Sequence, residues 1–216
     1  MKRIADIVVL AACIVAVGCG TGSPTNNQQS SVPSQSTGKV NVATGSHILG
    51  NTDAKVTIIE FGDFQCPYCK MFHTDTESQI FATYVSTGKA KFAYRQFPLV
   101  MHQNAGIAAE ASECAAKVGG NEAFWNYHDM LFAKGDSSGA GLEVASLKQY
   151  AIDLQLDMAA FNSCLDNHET RAIVSKDYAD GQAAGVQGVP AFFINGKPLD
   201  GAKPFSAFQT MIDAEL

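Results

Sequence analysis

Cys66 and Cys69, separated by Pro67-Tyr68, are the residues in this chain best suited to do chemistry. A disulfide is exchanged when a thiolate attacks one of its sulfurs, and the reaction passes through a mixed disulfide. Exchange therefore needs one reachable thiolate and a second thiol close behind to resolve the intermediate. Cys-x-x-Cys at a helix start supplies both. Cys66 would sit at the helix N-terminus, where unpaired N–H groups and the helix dipole favour the anion. Thiols in such places have pKa values lowered to about 3.5–7.5. Cys69, one turn further in, is expected to be more buried and to act second. Taken alone, the tetrapeptide leaves two other readings open: half of a zinc site, or a plain structural bridge. Zinc needs further ligands at suitable spacing. There is no second Cys-x-x-Cys, and His73, four residues after Cys69, brings the local set only to three.

The flanking residues must build that helix start. Lys55 to Phe61 is β-branched and largely apolar, as a buried central strand requires. Gly62 to Gln65 reads as the loop after it. Pro67 suits the first helical turn, where its missing N–H costs nothing. The helix is predicted to run to about Ser86, with Gly88 as a stop. Lys91 to Phe97 reads as a second strand ended by Pro98. From His102 to about Gly185 the chain is mostly helical. Ala105–Lys117 and Glu122–Ala133 are separated by Gly119-Gly120, and Leu142–Leu154 has a helical apolar period. A short helix capped by Asp157 follows, then Glu169–Ala184. Ala191–Ile194, the turn Asn195-Gly196 and Lys197–Leu199 form a hairpin, and Pro204–Ala214 closes the chain. A sheet with helices on its faces follows from this order.

The chain has 216 residues, 46% of them hydrophobic, enough for one domain with a sizeable core. Its net charge of −6, with no basic cluster beyond Lys2 and Arg3, argues against a nucleic-acid partner. The apolar stretch from Ile7 to Val17 is too short for a spanning helix and has the build of a secretory signal. Its end, Val15-Ala16-Val17-Gly18-Cys19, resembles the lipobox of bacterial lipoproteins, with Ala16 where Leu is usual. That resemblance implies a signal over 1–18 and a lipid on Cys19. A rival box at Leu10-Ala11-Ala12-Cys13 leaves a very short apolar core containing Asp6. Residues 19–39 are polar and read as a flexible linker from the anchor to a domain over 40–216. Cys66, Cys69, Cys114 and Cys164 then remain, an even number in an oxidising compartment.

Phe61-Gly62-Asp63-Phe64-Gln65-Cys66-Pro67-Tyr68-Cys69 resembles the DsbA-like branch of the thioredoxin superfamily. The resemblance spans roughly residues 47 to 216, from Ile48-Leu49-Gly50-Asn51-Thr52-Asp53-Ala54 to Gly188-Val189-Pro190-Ala191-Phe192-Phe193-Ile194-Asn195-Gly196. It implies an α/β thioredoxin-like fold with a helical insertion subdomain at about 102–185. It implies that Pro190 is cis and faces the cysteines, and that Val189 offers backbone hydrogen bonds to a substrate peptide. It implies that Glu60 is buried beneath the cysteines and moves a proton for the resolving thiol, a role that suits a carboxylate in a dry site. Pro67 and Tyr68 are expected to tune the redox potential. Cys114 and Cys164 match two cysteines that form a structural disulfide in the inserts of such proteins.

The expected activity is that of an extracytoplasmic thiol–disulfide oxidoreductase, an oxidase of exported proteins with free thiols. A membrane redox partner would reoxidise it. Isomerases of the superfamily usually carry a separate dimerisation domain, and the polar linker is no such domain, so a monomer is expected. An isomerase or reductase, or a tethered binding or chaperone domain with a merely structural bridge, are the alternatives. No metal or organic cofactor is implied. His47, His73, His102, His128 and His168 are scattered in sequence and are assigned no role. Phe124, Trp125, Phe132 and Phe161 are read as core, while Met71 and Phe72 suit either a substrate groove or the core.

Overall fold

The computed structural model describes residues 47–216. The signal over 1–18, the lipidation at Cys19 and the linker at 19–39 lie outside the described residues. Five strands form one sheet in the order β1-β3-β2-β4-β5. β2 (Val56–Gly62) and β3 (Ala90–Gln96) are parallel, and β1 (His47–Gly50), β4 (Ala191–Ile194) and β5 (Lys197–Asp200) join antiparallel. β4 and β5 are joined by Asn195-Gly196, both at positive φ, as a tight hairpin turn requires.

Strand alternation divides the core. Ile58, Phe92, Tyr94, Phe192 and Ile194 belong to the large core that includes the active-site helix and the insert. Ile59, Phe61, Ala93, Ala191 and Phe193 point to a smaller core. Glu60 lies two residues from Ile58, opposite Tyr94 and Phe192 in the register, so it shares the large-core face. The sequence of β2 therefore places a carboxylate in a dry layer. Gly62 ends β2 where any Cβ would meet the Tyr94 ring at 2.6 Å, so only glycine leaves room for that ring.

The predicted helix from residue 67 to about 86 is present in four consecutive segments. α1 (Pro67–Phe72) is followed by a π-helical turn (His73–Glu77), α2 (Ser78–Ile80) and a second π-helical turn (Phe81–Val85). π-Turns are rare and frequent at functional sites. Phe72 anchors this stretch among Phe192, Phe208 and Phe92, at 4.5, 5.4 and 6.4 Å between centroids. Of the two groove candidates, Phe72 is thus core while Met71 is exposed.

The insert comprises α3 (Ala105–Lys134), α4 (Val144–Asp153), α5 (Met158–Asp166) and α6 (Arg171–Ala183), and α7 (Phe205–Asp213) closes the chain. The two predicted helices about Gly119-Gly120 run on as α3, with a kink at Gly120 (φ 77°, ψ −167°). That backbone needs glycine, so the break read from sequence is real: α3 is two helices that meet at Gly120. Asp157 caps α5 as expected, accepting from the N–H groups of Ala159 and Ala160. α6 is tied to β3 by the buried Arg95, which donates to Asp177 and Asp180. Among the described residues no helix is long and apolar enough to cross a membrane.

Candidate active site

Cys66 is the N-cap of α1, with extended backbone (φ −75°, ψ 123°), and Pro67 is the first helical residue. Its loop is held by groups that the sequence reading left unassigned. The buried Asp63 carboxylate accepts from the N–H of Gln65 and of Leu99 and lies 2.7 Å from Nδ1 of His102. Gln65 accepts from the N–H of Asn104 and donates to the Ser137 carbonyl, and Lys70 donates to the Gly135 carbonyl. Two loops, the one before α3 and the one after it, thus clamp the turn into α1. An acidic residue in the short loop between strand and motif was the available signal for Asp63.

The two thiols are electrostatically unlike. Cys66 is 4% exposed and Cys69 is fully buried. The pKa of Cys66 is lowered from an ordinary 9.0 to about 6, chiefly by the hydrogen bond from the Cys69 thiol. Burial opposes this, while the N–H groups of Cys69 and Tyr68 at the helix start assist it. Cys69 is raised well above the ordinary thiol, first by burial, then by its bond to Cys66 and the charge of Glu60. Glu60 is itself raised well above a usual carboxylate by burial, Glu77 and Cys66, and its Oε1 has no hydrogen-bond partner. One thiol is ready to ionise, the other is held protonated, and a protonatable carboxyl lies within their electrostatic reach. This constellation can perform thiol–disulfide exchange.

The far loop reaches the same place. The Cys66 thiol donates to the Val189 carbonyl at 3.6 Å, and the Val189–Pro190 peptide is cis. A groove of about 410 Å³ lined by Gly185, Gln187, Gly188, Val189, Pro190, Asp200 and Gly201 runs along this loop. Tyr68 is 62% exposed, and Met71, Val100 and Met101 are also exposed. Val100 and Met101 belong to the loop tied through Leu99 and His102 to Asp63. Thus Glu60, Cys66, Pro67, Tyr68, Cys69, Val189 and Pro190 are gathered at one end of the sheet. Cys114 and Cys164 lie in the insert, joined by a disulfide between α3 and α5.

Comparison with known proteins agrees with this arrangement. A family profile described as Thioredoxin matches residues 42–214. The Na(+)/H(+) antiporter NhaA 3 of Salinispora tropica is 33% identical over 167 residues, which are 77% of this chain and 24% of that protein. The chain thus spans about a quarter of the length of such relatives. Disulfide bond formation protein D of Bacillus subtilis is 30% identical over 176 residues, covering 80% of this chain and 78% of that protein. The crystal structure of oxidised BdbD from Bacillus subtilis matches with a TM-score of 0.72 and 27% identity, covering 79% of this chain and 92% of that one. Helix-start cysteines, the loop that faces them and the matched length lead to one conclusion: the chain belongs to the thioredoxin family, on its DsbA-like branch.

Proposed function

We propose that this protein is a thiol–disulfide oxidoreductase that introduces disulfides into exported proteins outside the cytoplasm. The observation that carries the proposal is the pairing of an ionisable Cys66 at a helix start with a buried, protonated Cys69 behind it. Similarity to a protein named for disulfide bond formation supports it. In the oxidised state a substrate thiolate attacks Sγ of Cys66, and the Cys66–Cys69 bond breaks. Cys69 leaves as a thiolate and takes a proton, for which the neutral Glu60 carboxyl is the nearby source. The second substrate thiolate then attacks the substrate sulfur of the mixed disulfide, and Cys66 leaves as a thiolate. Two electrons have passed from the substrate dithiol to the enzyme pair, and a membrane redox partner would take them on. Val189 would pair with the backbone of the substrate peptide, and the apolar Tyr68, Met71, Val100 and Met101 would receive its side chains. Pro67 and Tyr68 flank the reactive sulfur and would tune its potential. The leader over 1–18 followed by Cys19 supports an extracytoplasmic, lipid-tethered protein, with the polar stretch at 19–39 as its linker.

The oxidase direction rests on charge. The low-pKa thiolate exists only in the reduced form, so whatever stabilises it stabilises the reduced form. Holding Cys66 at about 6 rather than 9.0 therefore favours the reduced form at pH 7 and makes the disulfide the stronger oxidant. Equilibration of Cys66–Cys69 with glutathione tests this. The expected potential is clearly more oxidising than thioredoxin's, about −270 mV. A value at or below thioredoxin's would assign a reductase instead.

Glu60→Gln separates proton transfer from structure. The raised pKa of Glu60 costs folding stability once pH exceeds the ordinary carboxylate range, and the cost grows until pH passes the folded-state value. The Glu60→Gln substitution is therefore expected to leave stability in acid unchanged and to raise it near neutral pH. Exchange is expected to slow by about 10²-fold in steps that protonate or deprotonate Cys69. Stopped-flow reoxidation alongside denaturant melts at several pH values reads both. Equal rates in the two proteins would remove Glu60 from the mechanism.

A further inference from the structure

We propose that His73, Glu77 and His128 form a site for one divalent transition-metal ion of the zinc class, separate from the Cys66–Cys69 pair. The three residues come from the π-helical turn after α1 and from α3, 55 positions apart in the sequence at the widest. Their ligand atoms all lie within 4.8 Å of one another. A zinc ion with bonds of about 2.0–2.1 Å needs tetrahedral ligands roughly 3.4 Å apart, which side-chain rotations of about an ångström provide.

The second support is a set of unmet polar atoms. His128 is fully buried, and its Nε2 has no hydrogen-bond partner. Its other nitrogen, Nδ1, lies 2.9 Å from the Asp129 carboxylate. That contact fixes the proton on Nδ1 and leaves the Nε2 lone pair free, as in carboxylate–histidine–zinc arrangements. Glu77 is buried too, and its Oε1 has no partner. Its Oε2 lies 2.5 Å from Nδ1 of His73. An ion pair between His73 and Glu77 leaves Oε1 and the His128 lone pair unmet. Leaving a buried polar atom without a partner is unfavourable, because it has given up its bonds to water. One cation answers all three groups.

The walls suit such an ion. Phe132 stacks on His73 at 4.9 Å, and Phe64 and Trp125 contact His128 edgewise at 5.6 and 5.0 Å. An apolar shell around two imidazoles and one carboxylate favours zinc over calcium or magnesium, which prefer many oxygens. Three protein ligands leave a fourth position for water. Bound there, the ion would cross-link the active-site helix to the insert.

The test uses the full chain with Cys66–Cys69 oxidised, so that no thiolate competes. After EDTA treatment, isothermal titration with zinc chloride is expected to give one ion per chain, and magnesium chloride is expected to give none. His73→Gln and Glu77→Gln are each expected to weaken zinc binding by about 100-fold. Asp129→Asn, at an exposed position that should fold normally, is expected to weaken it by about 10-fold. Zinc is expected to raise the melting temperature of the wild type and to raise that of Asp129→Asn less. No one-to-one binding by the oxidised wild type would overturn the proposal. So would undiminished binding in all three variants.

Discussion

Cys66→Ser is expected to reduce dithiol oxidation to the uncatalysed background, while Cys69→Ser, which cannot form the internal disulfide, is expected to lose dithiol oxidation too but to keep the Cys66 thiolate, which attacks an added disulfide such as glutathione disulfide, expels one half as a thiolate and stays trapped as the mixed disulfide. The difference follows from geometry. Cys66 caps the helix and faces the Val189 carbonyl, whereas Cys69 is fully buried behind it. A hydroxyl cannot form the mixed disulfide, so no other group rescues the Cys66→Ser protein. With Cys66 at about 6, roughly nine-tenths of it is thiolate at pH 7, against a few per cent for an ordinary thiol. Alkylation of the reduced protein should therefore show a midpoint near pH 6. The same shift sets a stability profile. A thiol whose folded pKa is depressed adds stability in full above its unfolded value and loses it as pH falls through the folded one. The reduced protein should thus gain stability over the oxidised one between about pH 6 and 9, and Cys66→Ser should abolish that gain. An alkylation midpoint near 8.5, or full activity in the Cys66→Ser protein, would remove Cys66 from its role.

Sequence legibility varied with how local the cause was. β2 and the start of α1 were readable because an apolar β-branched run, a short loop and Pro67 at the first turn are adjacent signals. The Asn195-Gly196 hairpin and the Asp157 cap were readable for the same reason. β1 went unread: four half-exposed residues carry no period, and His47–Gly50 becomes a strand only because β3 offers an edge. The π-turns also left no mark, since residues 73–85 have an ordinary helical composition. At the site, Cys66 and Cys69 were legible from one segment, whereas the role of Glu60 required the family resemblance. The loop at Val189-Pro190 required the family resemblance, because more than a hundred residues separate it from Cys66. Asp63, Gln65 and His102 were missed because their contacts join loops far apart in sequence: Asp63 to the Leu99 N–H and the His102 ring, and Gln65 to the Asn104 N–H. His73 and His128 looked scattered for the same reason: their meeting depends on how α3 lies against the active-site helix.

Replacing Cys114 and Cys164 together by alanine is expected to cost about 4 kcal/mol of stability and leave the Cys66–Cys69 potential in place. The bridge joins α3 to α5 across a sequence separation of 50, and both cysteines are buried. Cross-linking a loop of that size removes unfolded-chain entropy worth about 4 kcal/mol in the chain-entropy model. For a domain of this length, that corresponds to a fall in melting temperature of about 8–16 °C. Alanine also gives up some packing, because the Cys114 sulfur lies 3.6 Å from the Thr170 hydroxyl. Both cysteines must be changed, since a single survivor could exchange with Cys66. Because the bridge acts chiefly on the unfolded chain, the folded variant should keep its exchange chemistry below the melting point. Melts of the oxidised double variant, with the glutathione equilibrium measured at low temperature, test both halves. A loss under 1 kcal/mol would mean that the loop stays ordered without the bond. A shifted potential would mean that the insert disulfide holds the geometry around Cys66, which the unfolded-state argument does not allow.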